Sequence, residues 1–177
     1  DVLKDISFTV NPGETIAVVG ATGSAKSSLV QLIPRLYDAT TGEIRIDDVP
    51  VKDYLLDELH SRIGMVLQKN ELFTGTIIEN LRWGKEEATM EEMVEACKAA
   101  QAHDFIMSFT NGYDTMLGRG GVNVSGGQKQ RICIARALLR KPKILILDDS
   151  TSAVDTETEL KIRENLNTML YDTTVFI

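Results

Sequence analysis

The stretch Gly20-Ala21-Thr22-Gly23-Ser24-Ala25-Lys26-Ser27-Ser28 limits what this chain can fold into more than any other part of it. A nearly continuous apolar run, residues 15–19, precedes it, and Leu29, Leu32, Ile33 and Leu36 follow on one helical face. A strand, a loop of small residues and a helix, in that order, build a cradle for phosphate. Small residues let backbone N–H groups converge on phosphate oxygens, and the helix start adds partial positive charge. Lys26 can reach the outer phosphates, and the Ser27 hydroxyl can ligate magnesium. The usual pattern GxxxxGK[ST] has glycine where this chain has Ala25, so a left-handed backbone there would cost about 1 kcal/mol or more. The bland alternative is an ordinary glycine-rich turn before a helix. Pro34 should kink or end that helix.

Residues 144–147, all apolar, run into Asp148-Asp149. Carboxylates at a strand's C-terminal edge lie where parallel α/β sheets bind ligands, and Asp148 is suited to holding magnesium through water. Acids after strands also serve simply to cap the next helix. Well separated from the cradle in sequence, Ser125-Gly126-Gly127-Gln128 opens a third helix, with Ser125 and Gln128 at capping-box spacing. Two glycines in a first turn expose the backbone, and its N–H groups and the helix dipole form a second anion site. That turn reads either as a capped helix or as a phosphate sensor closing on nucleotide held by another subunit.

Residues 15–19, 63–67, 144–147 and 173–177 read as parallel strands covered on both faces. Ile6, Phe8 and Val10, and likewise Ile44 and Ile46, alternate as half-buried antiparallel strands do. Residues 89–103 start with the capping box Thr89-x-x-Glu92 and carry Met93, Cys97 and Ala100 at helical spacing. Residues 68–142 hold helices but no convincing strand. The expected fold is α/β, a single domain with a core of residues 1–67 and 143–177 and an inserted helical subdomain, 68–142. With 177 residues, 43% of them hydrophobic, the chain can fill one core, and its net charge of −7 argues against indiscriminate attraction to nucleic acid or anionic lipid. Cys97 and Cys133, without a CxxC partner, read as reduced core residues of a cytosolic compartment. No apolar run approaches the ~20 residues of a membrane span. The chain opens on Asp1 and stops within an apolar run, and is expected to be a fragment of something longer.

On these motifs the chain resembles the nucleotide-binding domain of an ATP-binding cassette (ABC) transporter along essentially its whole length. Gly20 to Ser28 correspond to the Walker A loop, Ile144 through Asp148 to the Walker B strand, and Ser125-Gly126-Gly127-Gln128 to the signature motif. Gln68 is placed like the family's Q-loop glutamine, which touches magnesium and faces the transmembrane domain. Ser152-Ala153-Val154-Asp155 resembles the D-loop, which crosses the dimer interface. Leu72-Phe73-Thr74-Gly75-Thr76-Ile77-Ile78-Glu79-Asn80 and Gly118-Arg119-Gly120-Gly121 are similar to exporter cassettes in particular.

The resemblance implies a P-loop ATPase core with a parallel sheet, a small antiparallel β subdomain and an inserted helical subdomain. It implies ATP and Mg2+ as cofactors. Nucleotide contacts would come from Gly20, Thr22, Gly23, Ser24, Ala25, Lys26, Ser27 and Ser28. Across a head-to-tail dimer they would come from Ser125, Gly126, Gly127, Gln128 and Asp155. Ser27, Gln68 and Asp148 would hold the metal. Partners would be a second nucleotide-binding domain and a transmembrane domain on the same polypeptide, at the cytoplasmic face of a membrane.

The family usually has glutamate after the Walker B aspartate to polarise the attacking water, and here stands Asp149. One methylene fewer retracts the carboxylate by about 1.5 Å, which can cost about 100-fold where geometry governs the step. With an intact signature, this pattern resembles the weakly hydrolytic half of a heterodimeric exporter whose partner supplies the glutamate. The family's stacking aromatic and switch histidine have no counterpart in these residues. His60 and His103 stand elsewhere and read as surface or packing residues, so the fragment alone is expected to hydrolyse ATP poorly. Two other readings compete: a regulatory nucleotide-binding module without chemistry, and a non-transport ABC ATPase acting on nucleic acid. The latter would use the basic run Lys129, Arg131, Arg136, Arg140 and Lys141, but the short span from Gln68 to Ser125 has no room for a long coiled-coil insertion.

Overall fold

The apolar runs become strands of one four-stranded sheet in a computed structural model that describes residues 3–148 and 153–177. The elements run β1 (Thr15–Ile16), α1 (Lys26–Leu32), β2 (Arg45–Ile46), β3 (Val49–Pro50), α2 (Leu56–Arg62) and β4 (Ile63–Val66). They continue as β5 (Gly75–Thr76), α3 (Ile77–Arg82), α4 (Met90–Ala99), α5 (His103–Ser108) and β6 (Met116–Leu117). Last come α6 (Gly126–Leu139), β7 (Ile144–Leu147), α7 (Thr156–Met169) and β8 (Thr174–Phe176). The described residues form two units: 3–65 with 142–148 and 172–177, and 66–141 with 153–171.

In the first unit the sheet order is β1-β8-β7-β4. Strand β8 is parallel to both neighbours, with Val175 opposite Thr15 on one side and Leu145 on the other. Because β1 and β7 run the same way as β8, both end at the same edge of the sheet. The loop after β1 and the acid after β7 therefore meet there. Val30 of α1, Leu59 of α2, Ile63, Ile146 and Phe176 form the buried core, with Ile16, Val18, Ile44 and Ile46 packed against it. The backbone ladder outlasts the assigned strand, since Val18 N–H donates to the Ile177 carbonyl at 2.7 Å. Val19, at the edge strand's end, is 91% exposed rather than covered.

Helix α1 stops at Leu32, two residues before Pro34, as proline's demand on its predecessor requires. Ile44 and Ile46 lie at a small antiparallel hairpin, β2 with β3, turned by Asp47 and Asp48, both with positive φ. Residues 6–10 form no strand. Ile6 and Phe8 stay exposed, because alternation supplies a face for a strand but not a partner to pair with.

The second unit packs α4 against α6, α5 and α7, and α3 against α6. Its buried side chains include Leu72, Ile77, Leu81, Met93, Ile106, Leu117, Ile132 and Leu138. Thr89 and Glu92 complete the expected capping box of α4. The helix ends at Ala99, and Gln101 takes a left-handed φ of 54° before α5 begins. One short antiparallel pair, β5 with β6, lies where no strand was expected. Each of its strands has two residues, too few to leave a period in the sequence.

Cys97 and Cys133 are free and buried. Burial pushes the Cys97 thiol up to about 12, against a smaller lowering by Tyr113, and raises Cys133 as well. Among the described residues no helix is long and apolar enough to cross a membrane. Ile146 is fully buried in the first unit's core, so Ile146→Ala is expected to cost about 2–5 kcal/mol of unfolding free energy. Urea titration would check this, and a loss within about 0.5 kcal/mol would contradict that packing.

Candidate functional site

The cradle forms where β1 gives way to α1. Gly23 has φ 82° and Ala25, just before the helix, φ 66° and ψ 23°, so Ala25 holds the left-handed backbone that glycine adopts without penalty. At Gly20 the constraint is space: a Cβ would run into the Ser24 hydroxyl. Gly20, Thr22, Gly23, Ser24 and Ser28 are exposed, Ala25, Lys26 and Ser27 half-buried. Lys26 Nζ donates to the carbonyls of Gly20 and Ala21 at 2.7 and 3.1 Å, so its charge sits over the loop's own backbone.

Ser27 Oγ donates to Asp148 Oδ1 at 2.9 Å, joining the helix start to the end of β7. A hydroxyl and a carboxylate side by side are hard oxygen donors. Magnesium takes one or two such protein groups and fills its remaining positions with phosphate and water. Among the described residues no group of three His, Cys, Asp or Glu could hold a metal by itself. The residues present fit magnesium bound together with a triphosphate. Asp149, to which the sequence assigns the catalytic carboxylate, lies outside the described residues, as does Ser152. Gln68 follows β4 and is exposed, in the second unit.

The second turn expected to meet an anion lies in that unit. Ser125 Oγ accepts from Gln128 N–H at 3.2 Å, and Gln128 Oε1 accepts from Ser125 N–H at 2.9 Å. The capping box is complete, and Ser125 and Gly126 stay exposed. The two glycines differ. A Cβ on Gly126 would rest 3.5 Å from the Ala153 Cβ, whereas one on Gly127 would stand 2.7 Å from the Ala153 carbonyl oxygen. Gln130 Oε1 accepts from the Ala153 N–H at 3.1 Å. The sequence reading missed this contact; the only trace of it is a polar side chain on the buried face of α6.

Asp155 caps α7, its Oδ1 accepting from Thr158 N–H at 3.0 Å. That bond and a second to the Thr158 side chain hold its carboxyl below the ordinary 3.8, with a smaller pull from Arg131.

Two residues of the basic run, Arg131 and Arg136, are turned inward, while Arg140 and Lys141 are exposed. Arg131 donates to the Gln101 carbonyl at 2.7 Å and lies 4.7 Å from the Phe105 ring centre. Arg136 donates to the carbonyls of Asn80 and Glu71, with Phe73 beside it. Burial pulls both guanidinium groups below their usual range. Lys141 pairs with Glu92. In the 72–80 stretch, Asn80, 1% exposed, ties the loop together through Phe73 N–H and the carbonyls of Phe73 and Thr76. His60 Nε2 lies 2.8 Å from the Pro34 carbonyl oxygen, and His103 Nδ1 3.0 Å from the Tyr113 hydroxyl.

A small-residue loop between strand and helix, with a serine on the acid of a neighbouring strand's end, defines the P-loop class of nucleotide-binding α/β proteins. Residues 3–152 match the profile of the family described as "ABC transporter", and the chain belongs to that family. It is 56% identical over 168 residues to "Uncharacterized ABC transporter ATP-binding protein YfiB" of Bacillus subtilis (strain 168), spanning 95% of this chain and 29% of that one. To "Putative multidrug export ATP-binding/permease protein YgaD" of the same strain it is 52% identical over all 177 residues, 30% of that protein. A solved structure titled "Structure of a bacterial Atm1-family ABC exporter with ATP bound" matches with a TM-score of 0.95 and 38% identity, over 99% of this chain and 31% of that one. The chain thus spans under a third of the length of these relatives.

Gly127→Ala is expected to destabilise the chain by about 1–3 kcal/mol, because the Ala153 backbone must move. Gly126→Ala should stay within about 1 kcal/mol of the parent. Equal thermal shifts in the two variants would contradict the contact. For Asp155 the folded pKa lies below the unfolded one, so the cap's full contribution is present above the unfolded value and is lost as pH falls through the folded value. The stability gap between the parent and Asp155→Ala should therefore narrow below about pH 4, measured by urea titration from pH 7 downwards.

Proposed function

We propose that this chain is the nucleotide-binding domain of an ABC exporter, which converts the binding and hydrolysis of magnesium ATP into work on a transmembrane domain of the same polypeptide. The observation that carries the reading is the Ser27–Asp148 hydrogen bond beside the Gly20–Ser24–Lys26 cradle. Relatives carrying both an ATP-binding and a permease part in their names support the membrane partner.

In this reading the backbone N–H groups of residues 20–28 bind the phosphates, and Lys26 exchanges its two carbonyl partners for phosphate oxygens. Ser27 and Asp148, with Gln68, would hold magnesium, whose chemistry there is to neutralise the charge on the outer phosphates. Asp149 would orient the attacking water, from a carboxylate set back by about 1.5 Å relative to glutamate. The exposed turn from Ser125 to Gln128 would complete the nucleotide site of a second domain facing it head to tail, with Asp155 close by. An intact signature beside a shortened acid favours a heterodimer in which this chain's own site hydrolyses weakly. The same shortened acid favours the second reading, a module that binds nucleotide and regulates its partner without hydrolysis.

Single-turnover hydrolysis at this site, in the full-length transporter with the partner's cradle lysine removed, separates the two readings. Lys26→Ala should abolish magnesium-ATP binding here. Asp149→Glu should raise the single-turnover rate by up to about 100-fold. Rapid turnover with Asp149 in place would refute the weak-site reading, and no gain with glutamate would favour the regulatory module.

A further inference from the structure

Ala153 is held on two sides by α6. Its N–H donates to Gln130 Oε1 at 3.1 Å, and its carbonyl lies so close to Gly127 that no side chain fits between them. Gln130 is 4% exposed, although it is a polar residue in the second turn of α6. Two residues further on, Asp155 is fixed by its own bond to Thr158 N–H. Residues 153–155 are thus anchored at one end to α6, the helix that Ser125 caps, and at the other to the start of α7. In the chain, Ala153 comes four residues after Asp149.

We infer that Gln130 is a positioning residue for hydrolysis: its side-chain carbonyl holds the Ala153 backbone against the Gly127 turn, so that the Ser125–Gln128 N–H groups and the Asp155 segment keep one fixed relation. The inference deepens the nucleotide-binding reading and rests on it. Gln130 acts through Ala153. A leucine would fill similar space but leave the Ala153 N–H without its acceptor, and a donor that loses its partner is released to solvent or left unpaired at a cost. The segment then drifts from Gly127. Ground-state binding, which rests on the cradle of the domain facing that turn, is untouched, whereas a geometry needed only at the transition state is lost.

The test uses the full-length transporter with Gln130→Leu, Gln130→Glu and Lys26→Ala. Gln130→Leu should lower kcat about tenfold or more while the KM for magnesium ATP stays within about twofold, the split expected when only transition-state geometry is lost. Amide hydrogen exchange at Ala153 should quicken about tenfold, with the amides from Ile132 to Leu138 unchanged. Gln130→Glu keeps an acceptor oxygen and should hold kcat within about threefold of the parent. An unchanged kcat in Gln130→Leu overturns the inference. So does a joint shift of kcat, KM and α6 exchange, which marks general loss of packing, or a Gln130→Glu variant as impaired as the leucine. Lys26→Ala reports on the underlying reading separately: if it binds trinitrophenyl-ATP as well as the parent does, the nucleotide site itself is refuted whatever Gln130 does.

Discussion

The 2.9 Å hydrogen bond from Ser27 to Asp148 spans 121 positions of sequence, and much of the first unit can be understood as what makes it possible. Loop closure over such a distance carries an entropic cost that one partly exposed hydrogen bond does not offset. The burial of Val30, Ile146 and Phe176 around it does. Strand β8, shared by β1 and β7, is the geometric key. Pairing in parallel with both sends both chains out at one edge, and a serine from one loop then stands beside an aspartate from the other. An antiparallel β7 would have carried Asp148 to the opposite edge.

The cradle, the acid after β7 and the caps on α4 and α6 were legible in the sequence because each is a local demand. A phosphate loop needs small residues and a lysine at fixed offsets, and a capping box is complete within four residues. Contacts between distant segments left weaker traces. The grip of Gln130 on Ala153, the knot that Asn80 ties in its loop and the β5–β6 pair involve single residues or pairs, which leave no period to detect. Alternation at Ile6, Phe8 and Val10 suggested a strand but could not supply the neighbour it would pair with. The boundaries at residues 67 and 143 rest on the lack of a strand period in residues 68–142, whereas the individual ligand roles rest on the resemblance.

Arginine explains why the basic run of α6 is poorly read as a charge stripe. Its planar fork bonds carbonyl oxygens while its face lies on an aromatic ring, so one side chain can serve as an internal strut. Arg131 on Gln101 and Phe105, and Arg136 on Asn80, Glu71 and Phe73, bind α6 to its neighbouring segments in this way. Their charge is spent inside the unit, which is why counting basic residues along the helix overstates the positive surface it offers.

The burial of both cysteines has a practical corollary. A thiol pushed up to about 12, as in Cys97, carries almost no thiolate at neutral pH, and Cys133 is shifted in the same direction. The ionised form is the nucleophile that attacks maleimide and methanethiosulfonate reagents. A cysteine engineered onto an exposed position such as Val19 or Tyr171 would therefore outcompete the native pair for a spin label or fluorophore. Distance measurements on this chain could then proceed on the native background, without first stripping its own sulfur from the core.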